Sequence, residues 1–466
     1  MAFFLPLCLA GYFWTAKRGG ANSAKWFLII LSAVFYGWVS VKMAWVLALS
    51  AAVNYAFGGA ARRWEHYPKP LLALSVIFNL LLLGYFKYTN FFIDNLNTFL
   101  ELHIRHLNLL IPLGISFWTF QQISYQVDDY RGQISKRSFT DYLLYILFFP
   151  KVISGPITRY NDLMAQFEHK TAFHANYKII LTGLYLFTIG LAKKVILAAP
   201  FAAFADQGYA HFEQLGMTET WVVLISFSLQ IYFDFSGYTD MALGVAKMFN
   251  INLPDNFHLP YFAASVQDFW RRWHITLSSF LRDYLYFPLG GSRCSAERTA
   301  FNIMVIFLVC GIWHGATWLF VLWGALHGLG VCFNRFWKKT NLHFSHRMNI
   351  LFTFIYVTLA WVFFRAESLP QAWHMLKSSG NILSLSIPKI SHLDIYFGSG
   401  EYHYNDFILY LFLGLLALFF ADKYKQYLTN PNALRTVKAV LFLLLLWGCV
   451  YQTTSQTVAE FLYFQF

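Results

Sequence analysis

The chain has 466 residues, of which 58% are hydrophobic, 20% aromatic and only 12% charged, with a formal net charge of +12. A soluble domain carries about 25% charged residues, so this composition, with a mean hydropathy of +0.46, excludes an ordinary soluble fold and points to a polytopic membrane protein. The basic residues are spread over short loops and form no patch or stripe, which fits a positive-inside bias and argues against nucleic-acid binding.

The apolar runs are too long for barrel strands, so the spans must be helices that satisfy their own backbone groups. At roughly 20 residues per span, the length holds about 10–12 spans, with partial segments besides. Candidate spans are 1–15, 26–40, 43–61, 70–87, 109–126, 177–203, 219–247, 299–313, 316–335, 348–365, 404–421 and 435–453. The N-terminal stretch MAFFLPLCLAGYFWTA has no basic residue before its apolar run, and Lys17 and Arg18 follow it; it reads as a retained first span. Basic residues fill alternate loops at 17–25, 62–69 and 128–139, which predicts those loops in the cytoplasm and the N-terminus outside.

Residues 142–160, YLLYILFFPKVISGPITRY, do not read as a span, because Pro150, Gly155 and Pro156 break the helix. Such a segment sits at membrane depth only where protein or a water-filled space surrounds it. It is either a re-entrant piece or a short helix followed by a loop. The stretch FDFSGYTDMALG, 233–244, sets Asp234 and Asp240 in an apolar run, and intramembrane carboxylates face a cavity or a partner. Nearby arginines are suitable counter-charges.

Residues 268–291, DFWRRWHITLSSFLRDYLYFPLGG, predict one amphipathic helix ending before Pro288 and the Gly290–Gly291 pair. Phe269, Trp270, Trp273, Leu277 and Phe280 share an apolar face; Arg271, His274, Ser278 and Arg282 follow another line. With that many charges it is a poor lipid span. It lies at the membrane surface or lines a polar funnel inside the protein. In CGIWHGATWLFVLWGALHG, 310–328, His314 stands between Gly311 and Gly315, where a backbone can approach closely. His327 is thirteen residues on, and helical geometry turns it away from the face of His314. No spacing resembles HExxH, and the five cysteines form neither a disulfide frame nor a CxxC pair, so no metal site is expected. The part of 367–403 beginning ESLPQAWHMLKSSG suits an interfacial helix. No internal repeat or linker is visible, and residues 1–466 read as a single integral membrane domain.

Taken in order, IPLGISFWTFQQISYQVDDYRG (111–132), FFPKVISGPITRY (148–160), FDFSGYTDMALG, NFHLPYFAASVQDFWRRWHITLSSFLRDYLYFPLGG and GIWHGATWLFVLWGALHG resemble the motifs of the membrane-bound O-acyltransferase family. The likeness runs through most of the chain. WRRWH leans towards the branch of alginate O-acetyltransferases and away from the D-alanyl-transfer branch.

The resemblance implies a helical ring around a central funnel, with re-entrant or interfacial helices. It implies multi-pass insertion in a bacterial cytoplasmic (inner) membrane. It carries the family's principal histidine onto His314 and the second onto His274. The implied chemistry is transfer of an acetyl group, from acetyl-CoA with no bound cofactor, towards an extracytoplasmic polysaccharide such as alginate. The polymer is reached indirectly, through a partner of the SGNH-hydrolase type. Such transfer needs a base for the acceptor hydroxyl and stabilisation of the oxyanion. A neutral histidine suits the first task near pH 7. His314 is the expected base; His274 either orients it, binds the donor or stabilises charge. Trp270, Arg271, Arg272, Ser278, Arg282, Trp313, Asp234, Tyr238 and Asp240 are the candidates for binding donor or substrate. Arg271, Arg272 and Arg282 suit the donor's phosphates, or else pair with Asp268 and Asp283. The competing classes are a transporter, D-alanyl transfer to a cell-wall polymer, and a membrane scaffold that only recruits the modifying enzyme.

Overall fold

A computed structural model describes residues 3–63, 68–134, 136–340, 344–384, 395–397, 400–402, 404–429 and 435–455. In chain order the helices are α1 (Phe4–Val39), α2 (Val41–Arg63), α3 (Pro68–Leu83), α4 (Thr89–Leu100), α5 (Ile115–Tyr130), α6 (Phe139–Leu147), α7 (Tyr160–Met164), α8 (Tyr177–Ala192), α9 (Ala199–Ala210), α10 (Met217–Met248), α11 (Val266–Arg272), α12 (Ile275–Leu281), α13 (Ala296–His314), α14 (Trp318–Trp337), α15 (His346–Arg365), α16 (Leu369–Ser379), α17 (Tyr404–Thr429) and α18 (Arg435–Ser455). One short hairpin pairs β1 (Ile395–Phe397) antiparallel to β2 (Gly400–Tyr402).

Apart from this hairpin the described structure is helical, and the protein is a polytopic membrane protein. Among the described residues, seven helical runs are long and apolar enough to cross a membrane: Phe4–Val39, Val41–Arg63, Lys69–Leu100, Tyr177–Ala210, Ala296–His314, Trp318–Trp337 and His346–Arg365. The other expected spans are helices too, but differ in length or polarity. Segments 1–15 and 26–40 form the single run α1, bent at Gly20 (φ 76°), so the loop expected at 17–25 is reduced to that bend. The expected span at 109–126 is the 16-residue α5, and those at the C-terminus have apolar cores of only Asp406–Phe420 and Ala439–Thr454. The span expected at 219–247 is α10, whose 32 residues include Asp234 and Asp240.

The chain divides into two compact units. One comprises Met1–Leu184 with Ala242–Pro254; the other comprises Tyr185–Met241 with Asp255–Phe466.

In the first unit, polar side chains stitch apolar helices together. Asn79 of α3 donates to Asn54 of α2 at 2.6 Å, and Ser50 donates to Gln122 of α5 at 3.0 Å. In apolar surroundings such pairs hold helices at a fixed register. The broken segment behaves as its prolines predict. α6 stops at Leu147, the backbone turns through 148–158 without leaving the interior, and α7 begins at Tyr160. The freed backbone groups find partners: the Phe149 N–H donates to Ser32 at 3.2 Å, and Tyr145 donates to the Thr158 carbonyl at 2.9 Å. Gly114 (φ 68°) lies so close to the Val152 and Ile153 carbonyls that no side chain fits there.

Two of the three basic segments expected on one side are joined by an ion pair, and the third is bound to the start of α6. Lys25 pairs with Asp141 at 2.7 Å, Arg62 pairs with Asp129 and donates to the Ile134 carbonyl at 2.8 Å, and Arg137 donates to the Tyr55 carbonyl.

In the second unit, α13 and α14 form an antiparallel hairpin at unusually close range. A side chain at Gly311 would run into the Phe320 carbonyl, and one at Gly324 into that of Phe307. Glycines at both crossings let the two backbones touch. The helix expected after residue 367 is α16, pinned by Gln371 to the Tyr209 carbonyl at 2.8 Å and by Trp221 to the Ser379 carbonyl at 3.0 Å.

Candidate functional site

All the candidate site residues lie in the second unit. Its polar residues enter from α10 first. Asp234 and Asp240 are buried, but their counter-charges are not arginines. Lys193 binds Asp240 at 2.6 Å, and Lys194 pairs with Asp234. Both lysines come from a π-helical turn, Lys193–Ala198, between α8 and α9. Such a turn inserts an extra residue and re-aims the side chains on it. The pair Lys193–Lys194 inside an apolar run was a readable signal of intramembrane charge. Tyr238 is half-buried on the same helix.

The expected single helix over 268–285 is in fact two. α11 ends at Arg272 and α12 begins at Ile275, with His274 between them in the left-handed region (φ 43°, ψ 54°). Such a conformation costs a non-glycine residue about 1–3 kcal/mol unless the surroundings impose it. Here they do. The segment 256–258 runs beside the break and takes up the freed backbone groups: the His258 N–H donates to the Arg272 carbonyl at 2.9 Å, and the Ile275 N–H to the Asn256 carbonyl at 3.0 Å. The Asn256 side chain adds three contacts through Oδ1, from the Thr276 N–H (3.1 Å), the Thr276 hydroxyl (2.9 Å) and His274 Nδ1 (3.2 Å). Periodicity could not reveal this break, because the apolar spacing continues across it.

His274 is fully buried, and burial pushes its imidazole down to about 3, so it is neutral at ordinary pH. Phe235 meets it edge-on at 4.8 Å, and the Trp313 indole lies 6.2 Å away on its other contact. Trp313 in turn meets His314 at 4.7 Å. One indole therefore contacts both histidines. His314 closes α13, is 2% exposed, and is walled by Trp323 at 5.0 Å and Phe364 at 5.3 Å. Trp323 and Phe364 escaped the sequence reading, as apolar residues carry no chemical signature.

His327 requires a correction. The chain breaks at 315–317, so His314 and His327 sit on different helices and the face argument drawn along one helix does not hold. One turn apart on α14, His327 and Trp323 meet at 4.8 Å, and packing of α14 against α13 sets the same indole against His314. Trp270 donates its indole N–H to His327 Nδ1 at 3.1 Å.

The arginines divide. Arg272 is bound to Asp268 at 3.0 Å and Arg282 to Asp283 at 2.8 Å, the ion pairing anticipated as their alternative role. Arg271 and Arg282 nevertheless line a groove of about 420 Å³ with Trp270, Ser278 and Tyr286, and Arg335 of α14 joins them. Arg335 was not foreseen, because only the fold brings the end of α14 to α11 and α12. A groove that combines three guanidinium groups with apolar walls suits an anionic ligand with an apolar arm.

The sequence model of the membrane-bound O-acyltransferase family matches residues 25–369. Among similar proteins, a peptidoglycan O-acetyltransferase of Helicobacter pylori is 40% identical over 420 residues, covering 83% of this chain and 80% of its own length. A probable alginate O-acetylase of Azotobacter vinelandii is 38% identical over 383 residues, covering 80% of this chain and 75% of its own. A teichoic acid D-alanyltransferase of Bacillus subtilis is 31% identical over 244 residues, or 50% of this chain and 62% of its own.

Proposed function

Because this chain belongs to the membrane-bound O-acyltransferase family, we propose that it is an O-acetyltransferase of a bacterial inner membrane, which takes acetyl from acetyl-CoA and passes it outward for O-acetylation of a polysaccharide. The observation that carries this reading is the buried cluster of His274, Trp313 and His314, two imidazoles in contact with one indole. The names of the O-acetylating relatives favour acetyl over D-alanyl, since those relatives cover most of the chain and the D-alanyl relative half of it.

In the proposed step, an imidazole nitrogen of His314 takes the proton of an acceptor hydroxyl as its oxygen attacks the thioester carbonyl carbon. The resulting oxyanion collapses, the carbon–sulfur bond breaks, and the thiolate leaves with the proton that the imidazolium returns. A dry site walled by aromatic rings strengthens the electrostatics of this transfer. The groove of Arg271, Arg282 and Arg335 would receive the phosphates of the donor. An extracytoplasmic partner of the SGNH-hydrolase type would carry acetyl on to the polymer.

The test uses purified full-length protein in proteoliposomes with radiolabelled acetyl-CoA, with and without candidate partners and acceptor polymer. Acetyl transfer or thioester hydrolysis is the expected result. Uptake of an intact solute would make the protein a transporter, and partner binding without turnover would make it a scaffold. Efficient polymer acetylation by the chain alone would refute the relay.

A further inference from the structure

The contacts of Asn256 decide a question that the motif leaves open, namely which nitrogen of His274 carries the hydrogen. A backbone N–H can only donate. The Thr276 N–H points at the side chain of Asn256 from 3.1 Å, so the atom it meets is the carbonyl oxygen Oδ1 and not the amide nitrogen. That same oxygen lies 3.2 Å from His274 Nδ1. An amide oxygen has no hydrogen to give, so the hydrogen in this contact belongs to Nδ1. A neutral imidazole bears one N–H, and its other nitrogen then bears a lone pair.

From this geometry we infer that Asn256 is a positioning residue that fixes His274 as the Nδ1–H tautomer, so that Nε2 meets the reacting groups as a proton acceptor and not as an oxyanion donor. The tautomer follows from the contacts alone; its consequence for the chemistry rests on the acyl-transfer reading above. Burial supports it, because both side chains are fully enclosed and water cannot exchange one tautomer's partner for another's. The ring is also held in plane. The left-handed break at His274, the Phe235 ring at 4.8 Å and the Trp313 indole at 6.2 Å leave the imidazole little room to rotate. Of the three roles that the motif permits for His274, this excludes donation of an Nε2 hydrogen to the tetrahedral oxyanion. The oxyanion's donor must then be another group.

The experiment is nitrogen-15 solid-state NMR on the full chain in lipid, labelled at histidine, with the His274 signals assigned by subtraction of a His274→Gln sample. Protonated Nδ1 with bare Nε2 is expected in the unmodified protein. Asn256→Leu removes the acceptor oxygen and should let the Nε2–H form appear, with turnover of acetyl-CoA falling by at least about tenfold, as for other residues that orient a reacting histidine. Thr276→Val removes one contact to Oδ1 but leaves the Asn256–His274 pair, and should keep the tautomer. A protonated Nε2 in the unmodified protein would overturn the inference, as would a folded Asn256→Leu variant that loses turnover with its tautomer unchanged. Should Asn256→Leu fail to fold, the spectrum of the unmodified protein still decides. Absence of any acetyl transfer would defeat the proposed function while leaving the spectrum as the test of the tautomer.

Discussion

Trp270 donates its indole N–H to Nδ1 of His327 at 3.1 Å, tying α11 to α14. His327 thus accepts where His274 donates, although both are fully buried histidines of the same unit. The His327 ring also stacks on Phe269 at 6.0 Å and meets Trp323 edge-on at 4.8 Å. These contacts give it a structural role, and they explain its presence in an apolar helix without any chemistry.

His327→Ala should therefore act on stability. It leaves the Trp270 N–H without its acceptor, which costs about 1–3 kcal/mol, and it opens a cavity among five aromatic rings, those of Phe269, Trp270, Phe307, Trp323 and Trp361. The expected result is a clearly lower unfolding temperature in detergent, with turnover per folded molecule largely retained. An equally stable but inactive variant would give His327 a chemical role.

His314→Ala should do the reverse. Its ring is packed by Trp313 of α13, Trp323 of α14 and Phe364 of α15, so a modest loss of stability is expected beside a much larger loss of turnover. If His314 is the base, turnover should fall by about 10²–10⁴-fold when chemistry limits the rate. Chromatographic profile and thermal unfolding serve as controls for folding. Near-normal turnover would remove His314 from the mechanism.

Arg335→Gln should raise the KM for acetyl-CoA with little change in kcat, because the groove would hold the donor away from the reacting carbon. One charge-assisted contact in a partly open groove corresponds to a loss on the order of tenfold. An acyl donor lacking the nucleotide phosphates should be insensitive to the substitution. Equal sensitivity of both donors would place the phosphates elsewhere.

The segments at 62–63 and 128–134 should face the cytoplasm together with Lys25. Arg62–Asp129 joins the first two, so those share one side whichever side that is, and Lys25 pairs with Asp141 in the first turn of α6, which follows them in the chain. Single cysteines placed there, in a cysteine-free background, should resist an impermeant reagent in intact cells and react after permeabilisation. Labelling of intact cells would invert the topology.

Sequence alone determined the class of the protein and pointed to candidate site residues. Apolar runs must become helices in lipid, so most helical segments, the break at Pro150 and the helix α16 were legible as local consequences of composition and helix-breaking residues. The motif order gave the family, and with it His274 and His314. Tertiary structure decided which side chains meet. Lys193 and Lys194, rather than arginines, neutralise Asp240 and Asp234, since counter-charge depends on which helices lie side by side. The break at His274 was invisible because the apolar period runs through it. It exists only because Asn256 and His258, from a separate segment, satisfy the backbone groups that a continuous helix would have satisfied internally. Periodicity reports which face of an element is apolar. It carries no information about a hydrogen-bond partner eighteen residues away in sequence, and it is that partner which sets the backbone at His274 and the nitrogen on which its hydrogen sits.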